Sequence, residues 1–151
     1  MIDTKQSDSR EQQELEIYVS EEVGKWLECN LQRNPKVFLA DGVHIEPDLY
    51  SEEEHIICEV FAHQGALKVG QQHKVSQDIL KMLLLDKVKG VTYRKIIVVA
   101  DEKVESYLKG KSFVAESIRQ FGIEIKKIDI PAGIRDTILK AQARQVMVNK
   151  S

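Results

Sequence analysis

The chain has 151 residues, of which 42% are hydrophobic and 30% are charged, and its formal net charge is −2. These values predict one globular domain over residues 1–151, with residues 1–9 as a frayed polar end. No apolar run approaches the roughly 18 residues of a membrane-spanning helix, and the polar start lacks a signal-peptide core. We therefore expect a cytoplasmic protein with no membrane partner.

Charge is distributed unevenly along the chain. Residues 1–34 carry eight acidic and four basic side chains, whereas residues 64–111 carry ten basic and five acidic ones. A basic middle beside carboxylates suits a polyanion held near a metal ion, but lysines on solvated helix faces give the same counts. Both interpretations stay open at this point.

A first helix is predicted over residues 10–32, where apolar side chains repeat at helical spacing. The stripe consists of Leu15, Val19, Val23, Trp26 and Cys29. Glu22 falls near the middle of this stripe, which is unusual for a charged side chain that faces a core. Glu22 is either a functional acidic residue or a glutamate that reaches water or pairs with a lysine.

Three strands are predicted after this helix, over residues 37–40, 43–50 and 55–63. The third strand is apolar on both faces except at Glu59, and a carboxylate in such a strand is costly unless a cation offsets it. Cys58 in this strand and Cys29 in the helix are expected to be reduced core residues, since no CxxC spacing suggests zinc.

The short connection between the last two strands brings a second carboxylate towards Glu59. With residues 53–54 as the turn, Asp48 lies directly opposite Glu59. With residues 51–54 as the loop, the two are diagonal neighbours on the same face, whereas a three-residue loop with a bulge would separate them. Two such carboxylates repel each other unless they hold a proton or a metal ion, and oxygen ligands suit Mg²⁺ or Mn²⁺.

The segment Pro47-Asp48, followed by a short hairpin and Glu59-Val60-Phe61, resembles the motif of the PD-(D/E)xK nucleases, which have the restriction-endonuclease-like fold. The likeness spans residues 11–100. It implies that Asp48 and Glu59, with the Val60 carbonyl, bind catalytic Mg²⁺ (or Mn²⁺), and that a lysine two residues after the glutamate activates water. Phe61 stands at that lysine's position. Either the lysine has moved elsewhere, or the site no longer catalyses.

A helix over residues 71–88 carries a polar stripe beside its apolar face. The stripe consists of Gln71, Lys74, Asp78 and Lys81. Because the helix start follows the strand of the acidic pair, Lys74 is the first candidate for the displaced catalytic lysine, and Lys68 in the preceding loop is the second. Gln71 resembles a glutamine that some family members place on this helix, which implies a phosphate contact. A solvent-facing stripe with a Lys74–Asp78 ion pair is the alternative.

Other catalytic motifs are absent from the sequence. His63 shares a face with Glu59 if the strand stays regular, so it is a candidate ligand or base in place of the missing lysine. No HxH or HExxH spacing indicates zinc, and no GxSxG, Walker or GxGxxG motif indicates a serine hydrolase, an NTPase or a dinucleotide enzyme.

The C-terminal part adds two strands and two helices, over residues 94–100, 102–121, 123–128 and 131–148. The resulting order predicts an α/β fold with a mixed β-sheet flanked by helices. Its first six elements match the restriction-endonuclease-like α-β-β-β-α-β core, and the rest form an added α-β-α C-terminal extension.

Residues and resemblance together predict a divalent-metal-dependent phosphodiester hydrolase that acts on nucleic acid, with DNA favoured over RNA and a homodimer left open. The predicted catalytic residues are Asp48, Glu59, Lys74 and Glu22, the metal ligands are Asp48 and Glu59, and the substrate-binding residues are Gln71 and Lys68. The alternative is a catalytically inactive nuclease-like scaffold that binds nucleic acid or protein, which Phe61 favours.

Overall fold

A mixed five-stranded sheet with helices on both faces forms the fold, as the sequence predicts. The computed structural model describes residues 4–150, with side chains described at residues 10, 13–137, 139–140 and 142–144. The helices are α1 (Thr4–Leu27), α2 (Val69–Lys89), α3 (Glu102–Leu108), α4 (Phe113–Gln120) and α5 (Ala132–Lys150). The strands are β1 (Gln32–Arg33), β2 (Val37–Ala40), β3 (Val43–Ile45), β4 (Leu49–Ser51), β5 (Ile56–Phe61), β6 (Arg94–Val99) and β7 (Glu124–Lys127).

The main sheet has the strand order β1-β4-β5-β6-β7, and β2 pairs with β3 in a separate hairpin. β5 is the strand at which the sheet changes from antiparallel to parallel pairing. It pairs antiparallel with β4 through a short turn and parallel with β6 after a crossover through α2. β7 is parallel to β6 because α3 and α4 provide the second crossover.

Alternation along the strands gives the sheet two apolar faces. Ile57 and Ile97 face α2, α3 and α4, whereas Cys58 and Ile96 face α1 and α5. Cys29 and Cys58 are both free thiols. None of the helices in residues 4–150 combines the length and apolar character needed to cross a bilayer.

The first helix differs from its prediction at both ends. α1 already begins at Thr4, so residues 4–9 are helical, not frayed, while residues 1–3 lie outside the described part of the chain. It stops at Leu27 because Glu28 adopts a left-handed conformation (φ 53°) and the Cys29 N–H donates to the Gly24 carbonyl at 3.3 Å. The chain freed by this early stop forms β1 against β4.

The strand predicted over residues 43–50 is two strands. β3 pairs with β2, β4 pairs with β5, and Pro47 lies between β3 and β4. Pro47 has no N–H to donate to a ladder, so a change of partner at this point costs no hydrogen bond.

The helix predicted over residues 102–121 is also two elements, α3 and α4. Ser112 ends the break by capping α4, since its hydroxyl accepts the Ala115 N–H at 3.0 Å. Gly110 marks the turn before that cap, because a Cβ there would lie 3.2 Å from the Tyr107 carbonyl oxygen. Both signals are local, and both outweigh the continuous apolar periodicity.

Candidate functional site

The register of β4 and β5 places Asp48 directly opposite Glu59. Leu49 pairs with Cys58 and Tyr50 with Ile57, so the next pair along this register is Asp48 with Glu59. This is the first of the two predicted hairpin geometries. Strand alternation puts Glu59 on the same face as Ile57, towards α2, whereas Asp48 lies just before β4, where its charge acts on both Glu59 and the α1 residue Glu16.

Glu59 is buried and meets a lysine from α2. Its side chain is 4% exposed, and its Oε1 lies 3.0 Å from the Nζ of Lys81. The same Nζ lies 3.4 Å from Oδ1 of Asp78, one turn earlier on α2 and itself 5% exposed. One ammonium is therefore shared by a strand carboxylate and a helix carboxylate.

The cluster holds more negative than positive charge. Burial, together with the charges of Asp48 and Asp78, raises the pKa of the Glu59 carboxyl to about 8. Lys81 lowers this pKa but offsets only part of the rise. Burial also raises the pKa of Asp78, despite Lys81. Burial alone would lower the pKa of Lys81, but the two carboxylates more than offset it and the pKa of Lys81 is raised.

Asp48 ends the β4–β5 ladder with its side chain. Its Oδ2 accepts the Val60 N–H at 2.7 Å, so the carboxylate is fixed beside the edge of β5. It also borders a small cavity of about 10 Å³, close to the smallest volume that holds one water molecule. The cavity is lined by Glu16, Ser20, Arg33, Asn34, Asp48 and Val60.

The structure brings Lys74 near the acidic cluster but not into direct contact with Glu59. Its Nζ lies 5.2 Å from the ring centroid of Phe61, which is 5% exposed and packed in the core. The positive charge of Lys74 also lowers the pKa values of Asp78 and Glu16, against the larger effect of burial. Lys74 therefore lies above the side chain that replaces the motif lysine.

Gln71 and Lys68 are engaged in closing the start of α2. The Lys68 N–H donates to Gln71 Oε1 at 2.8 Å, and Gln71 Nε2 donates to His63 Nδ1 at 2.9 Å. The other ring nitrogen of His63 donates to the Ala66 carbonyl at 3.2 Å. Gln71 and His63 thus bond to each other and to the loop after β5, while Lys68 stays exposed.

Glu22 lies in an ion pair with Lys25, at 3.3 Å on the same helix. This is the lysine-paired alternative that the sequence left open. Glu16 is the α1 carboxylate beside Asp48 instead, because Glu16 and Ser20, one turn apart, both line the cavity. Burial and the charge of Asp48 raise the pKa of Glu16.

Sequence reasoning placed Asp78 and Lys81 in the α2 stripe but gave neither a role at the site, and it missed Glu16 and Arg33. The α2 stripe could have indicated Asp78 and Lys81 as site residues. A buried aspartate among apolar neighbours, with a lysine three residues later, indicates a local ion pair. For Glu16, the sequence offers only its helical spacing, which places it on the same side of α1 as Ser20, one turn later.

Asp48 and Glu59 are the carboxylates of this cluster that could hold a divalent cation. Mg²⁺ is commonly held by one or two carboxylates with water completing the shell, and Asp48 and Glu59 with the Val60 carbonyl supply such a set. Within the described residues, no three His, Cys, Asp or Glu side chains are arranged as a ready ligand group.

Comparison with protein-family models, with curated proteins and with solved structures finds no match. The function is therefore inferred from the side chains and their environment.

Proposed function

We propose that the chain is a divalent-metal-dependent phosphodiester hydrolase that acts on nucleic acid and has the restriction-endonuclease-like fold of the PD-(D/E)xK nucleases. The observation that carries this proposal is the convergence of Asp48, which accepts the Val60 N–H, and the adjacent buried Glu59 in a cluster with an excess of negative charge. Burial and the neighbouring carboxylates raise the pKa of Glu59 to about 8, because the single ammonium of Lys81 offsets only part of their effect.

The strand arrangement supports the fold assignment. Asp48 immediately precedes the antiparallel strand β4, and Glu59 lies on β5, where the antiparallel and parallel parts of the sheet meet. α1 covers one face of these strands and α2 the other. With β1 counted as an added edge strand, four strands (β2 to β5) lie between α1 and α2 where the family order α-β-β-β-α-β has three, because the predicted strand over residues 43–50 is divided into β3 and β4.

In the proposed mechanism, Asp48 and Glu59 would hold the ion together with the Val60 carbonyl. A bound Mg²⁺ or Mn²⁺ stabilises the charge that develops on the phosphate and lowers the pKa of an attacking water. Val60 also contributes to the geometry through its N–H, which donates to the Asp48 carboxylate at 2.7 Å.

Lys81 takes the role that the sequence assigned first to Lys74. Its ammonium lies 3.0 Å from Glu59, and its side chain is 23% exposed, so it reaches both the carboxylate and solvent. A cation at this place orients water and compensates charge as the motif lysine would. Lys74, which is exposed above Phe61, is then left for contact with phosphate.

Exposed basic side chains next to the cluster suit a phosphate backbone. Lys68 and Lys74 lie at the start of α2, and Arg33 borders the Asp48 cavity. Such contacts give salt-dependent binding without base readout. DNA is favoured over RNA by the family resemblance, and the cytoplasmic location and the homodimer stay predictions.

The test is cleavage of single- and double-stranded DNA and RNA with Mg²⁺ or Mn²⁺. Asp48→Asn keeps an acceptor for the Val60 N–H but removes the charge, so we expect it to abolish both cleavage and calorimetric Mn²⁺ binding. Lys81→Met is expected to lower kcat at least about a hundredfold while Mn²⁺ still binds. Lys74→Met is expected to raise KM more than it lowers kcat.

Glu116→Gln is the matched control for these variants. It removes the charge of a carboxylate that pairs with Arg119 three residues later, as Asp78 pairs with Lys81, but on the exposed surface of α4. Cleavage should not change. Cleavage that survives Asp48→Asn in equally purified protein comes from another nuclease and contradicts the proposal. A folded wild-type protein that binds no Mn²⁺ and cuts none of the four substrates also contradicts it.

The inactive nuclease-like scaffold is the second candidate, and Phe61 is the observation that favours it. Phe61 is buried in the apolar core, so the motif position has become part of the packing. A scaffold would bind nucleic acid or protein with equal affinity before and after Asp48→Asn. It would also show no metal-dependent cleavage under any condition.

A further inference from the structure

Lys81 is held by two carboxylates of different origin. Glu59 comes from the central strand β5, and Asp78 comes from the preceding turn of α2. Both carboxylates are at least 95% buried, whereas Lys81 is 23% exposed. The ammonium therefore closes a small polar cluster between the sheet and the helix.

Under the proposed function, Lys81 and the divalent cation would compete for the carboxylate of Glu59. Its Oε1 accepts from Lys81 in this structure, and a carboxylate oxygen bound to an ammonium is a poorer ligand for a second cation. If Glu59 were the sole partner of Lys81, loss of that contact would leave the Lys81 ammonium unpaired in a cluster that is largely buried. Lys81 then either blocks the ligand or swings out to water.

Asp78 removes this conflict by its position. It is 3% exposed and lies on the inward face of α2, where its helical neighbours Val75, Ile79 and Met82 are apolar core residues. A carboxylate there is expensive, and packing alone would favour an apolar side chain. The contact that Asp78 makes with Lys81, at 3.4 Å, is the compensation that the structure shows.

We propose that Asp78 is a positioning residue that keeps Lys81 beside Glu59 while leaving Glu59 free to ligate a divalent cation. This inference rests on the proposed function. Asp78 acts only through Lys81 and touches neither the cation nor the substrate. If Glu59 turned to the ion, Lys81 would lose its hydrogen bond to Glu59 and keep the one that it already donates to Asp78.

The test is a double-mutant cycle read by calorimetric binding of Mn²⁺ alone, without substrate. Asp78→Asn keeps the side-chain shape and removes the charge, so Lys81 is left with Glu59 as its charged partner. We expect Mn²⁺ affinity to fall about tenfold in Asp78→Asn. Lys81→Met removes the competitor, so it should bind Mn²⁺ at least as tightly as the wild type. In the Lys81→Met background, Asp78→Asn should have no further effect.

Kinetics provide the second measurement. Asp78→Asn should lower kcat about tenfold at saturating Mn²⁺ with little change in KM, because Lys81 is displaced rather than lost. Asp78→Glu restores the charge and should recover part of the affinity. Glu116→Gln, with its i,i+3 partner Arg119 on α4, should leave both Mn²⁺ affinity and kcat unchanged.

Two results would overturn the inference while the proposed function stands. One is wild-type Mn²⁺ affinity in Asp78→Asn. The other is an equal loss of affinity in the Lys81→Met background, which would make Asp78 a ligand or a purely structural residue. If Asp78→Asn does not fold, weaker Mn²⁺ binding in Lys81→Met than in the wild type overturns it instead. Failure of the proposed function is separate, because Asp48→Asn would then leave Mn²⁺ binding and cleavage as they are.

Discussion

Two buried acid–base clusters lie along α2, and they differ in how their charges are matched. Towards the end of the helix, Asp86 pairs with Lys95 of β6, whose side chain is 5% exposed. Lys95 also donates to the Tyr93 carbonyl at 3.0 Å, and Asp86 accepts the Tyr93 N–H at 2.8 Å. One acid meets one base, and backbone groups satisfy the remaining hydrogen bonds. This arrangement stabilises the fold, and the charges of Asp86 and Lys95 balance each other.

The cluster near the middle of α2 is not matched in this way. Asp48, Glu59 and Asp78 act on one another, and Lys81 is the ammonium that pairs directly with two of them. The consequence is a pKa of about 8 for Glu59. Each cluster has a charged member that is at most 5% exposed, Lys95 in one and Glu59 and Asp78 in the other, so a buried charge by itself does not distinguish a structural cluster from a candidate site. The difference is the unbalanced negative charge, which a divalent cation would neutralise.

Breaking the matched cluster should have the largest effect on stability. Asp86→Ala leaves Lys95 buried without its carboxylate and Tyr93 without its N–H acceptor, so the free energy of unfolding should fall by about 3–5 kcal/mol. Lys81→Met should cost on the order of 1 kcal/mol, because Glu59, with a pKa of about 8, is already largely protonated at pH 7 and leaves no buried charge unpaired. Urea denaturation of both variants at pH 7 measures this contrast, and equal losses would contradict it.

The next largest effect is expected in the pH dependence of stability, which should differ between the two clusters. The pKa of Glu59 is raised above its ordinary value of 4.5 to about 8 in the folded protein, so folding favours the protonated form. The stabilisation is complete below about pH 4.5 and is lost as the pH rises through about 8. Without divalent ions, the free energy of unfolding should fall by a few kcal/mol from pH 5 to pH 8, at about 1.4 kcal/mol per pKa unit.

Glu59→Gln is the variant that checks the origin of this slope. It should flatten the decline between pH 5 and pH 8, since an amide does not titrate. The rise in the pKa of Asp78 adds a smaller slope of the same sign. A decline that is unchanged in Glu59→Gln would place the titrating group elsewhere.

Divalent cations should stabilise the protein through the unmatched cluster alone. At pH 8 and 100 times the dissociation constant, Mn²⁺ should raise the free energy of unfolding by about 2.7 kcal/mol. The gain should vanish in Asp48→Asn and shrink at pH 5, where Glu59 is protonated. Glu116→Gln should keep the full gain. Thermal unfolding with and without Mn²⁺ provides the measurement.

The smallest effect is expected at an exposed ion pair. Arg94 and Glu124 join β6 to β7 at 2.6 Å, but both side chains are more than 40% exposed. Glu124→Gln should therefore cost only about 0.2–1 kcal/mol, and less at high salt. A loss as large as that of Asp86→Ala would mean that exposure is a poor guide to the worth of ion pairs in this protein.

The sequence by itself determined the parts of the fold that depend on neighbouring residues. The apolar periodicities gave the α/β order, and the short connection between β4 and β5 limited Asp48 and Glu59 to a few geometries, one of which is present. The splits at Pro47 and at Ser112 were also written locally, as a missing N–H and a helix cap. The faces that the two side chains take were not determined in this way, because a bulge in the connection would separate them and Asp48 lies just outside β4.

Only the tertiary structure decided which side chains meet that pair. Lys74 and Lys81 occupy the same stripe of α2, two turns or about 10 Å apart. Which of them reaches Glu59 depends on how far α2 slides along β5. Glu16 and Glu22, six residues apart on α1, project from different sides of that helix, and the packing of α1 against the sheet puts Glu16 at the Asp48 cavity. Helical spacing fixes the direction of a side chain but not the height at which its helix docks, because docking is set by the whole apolar interface.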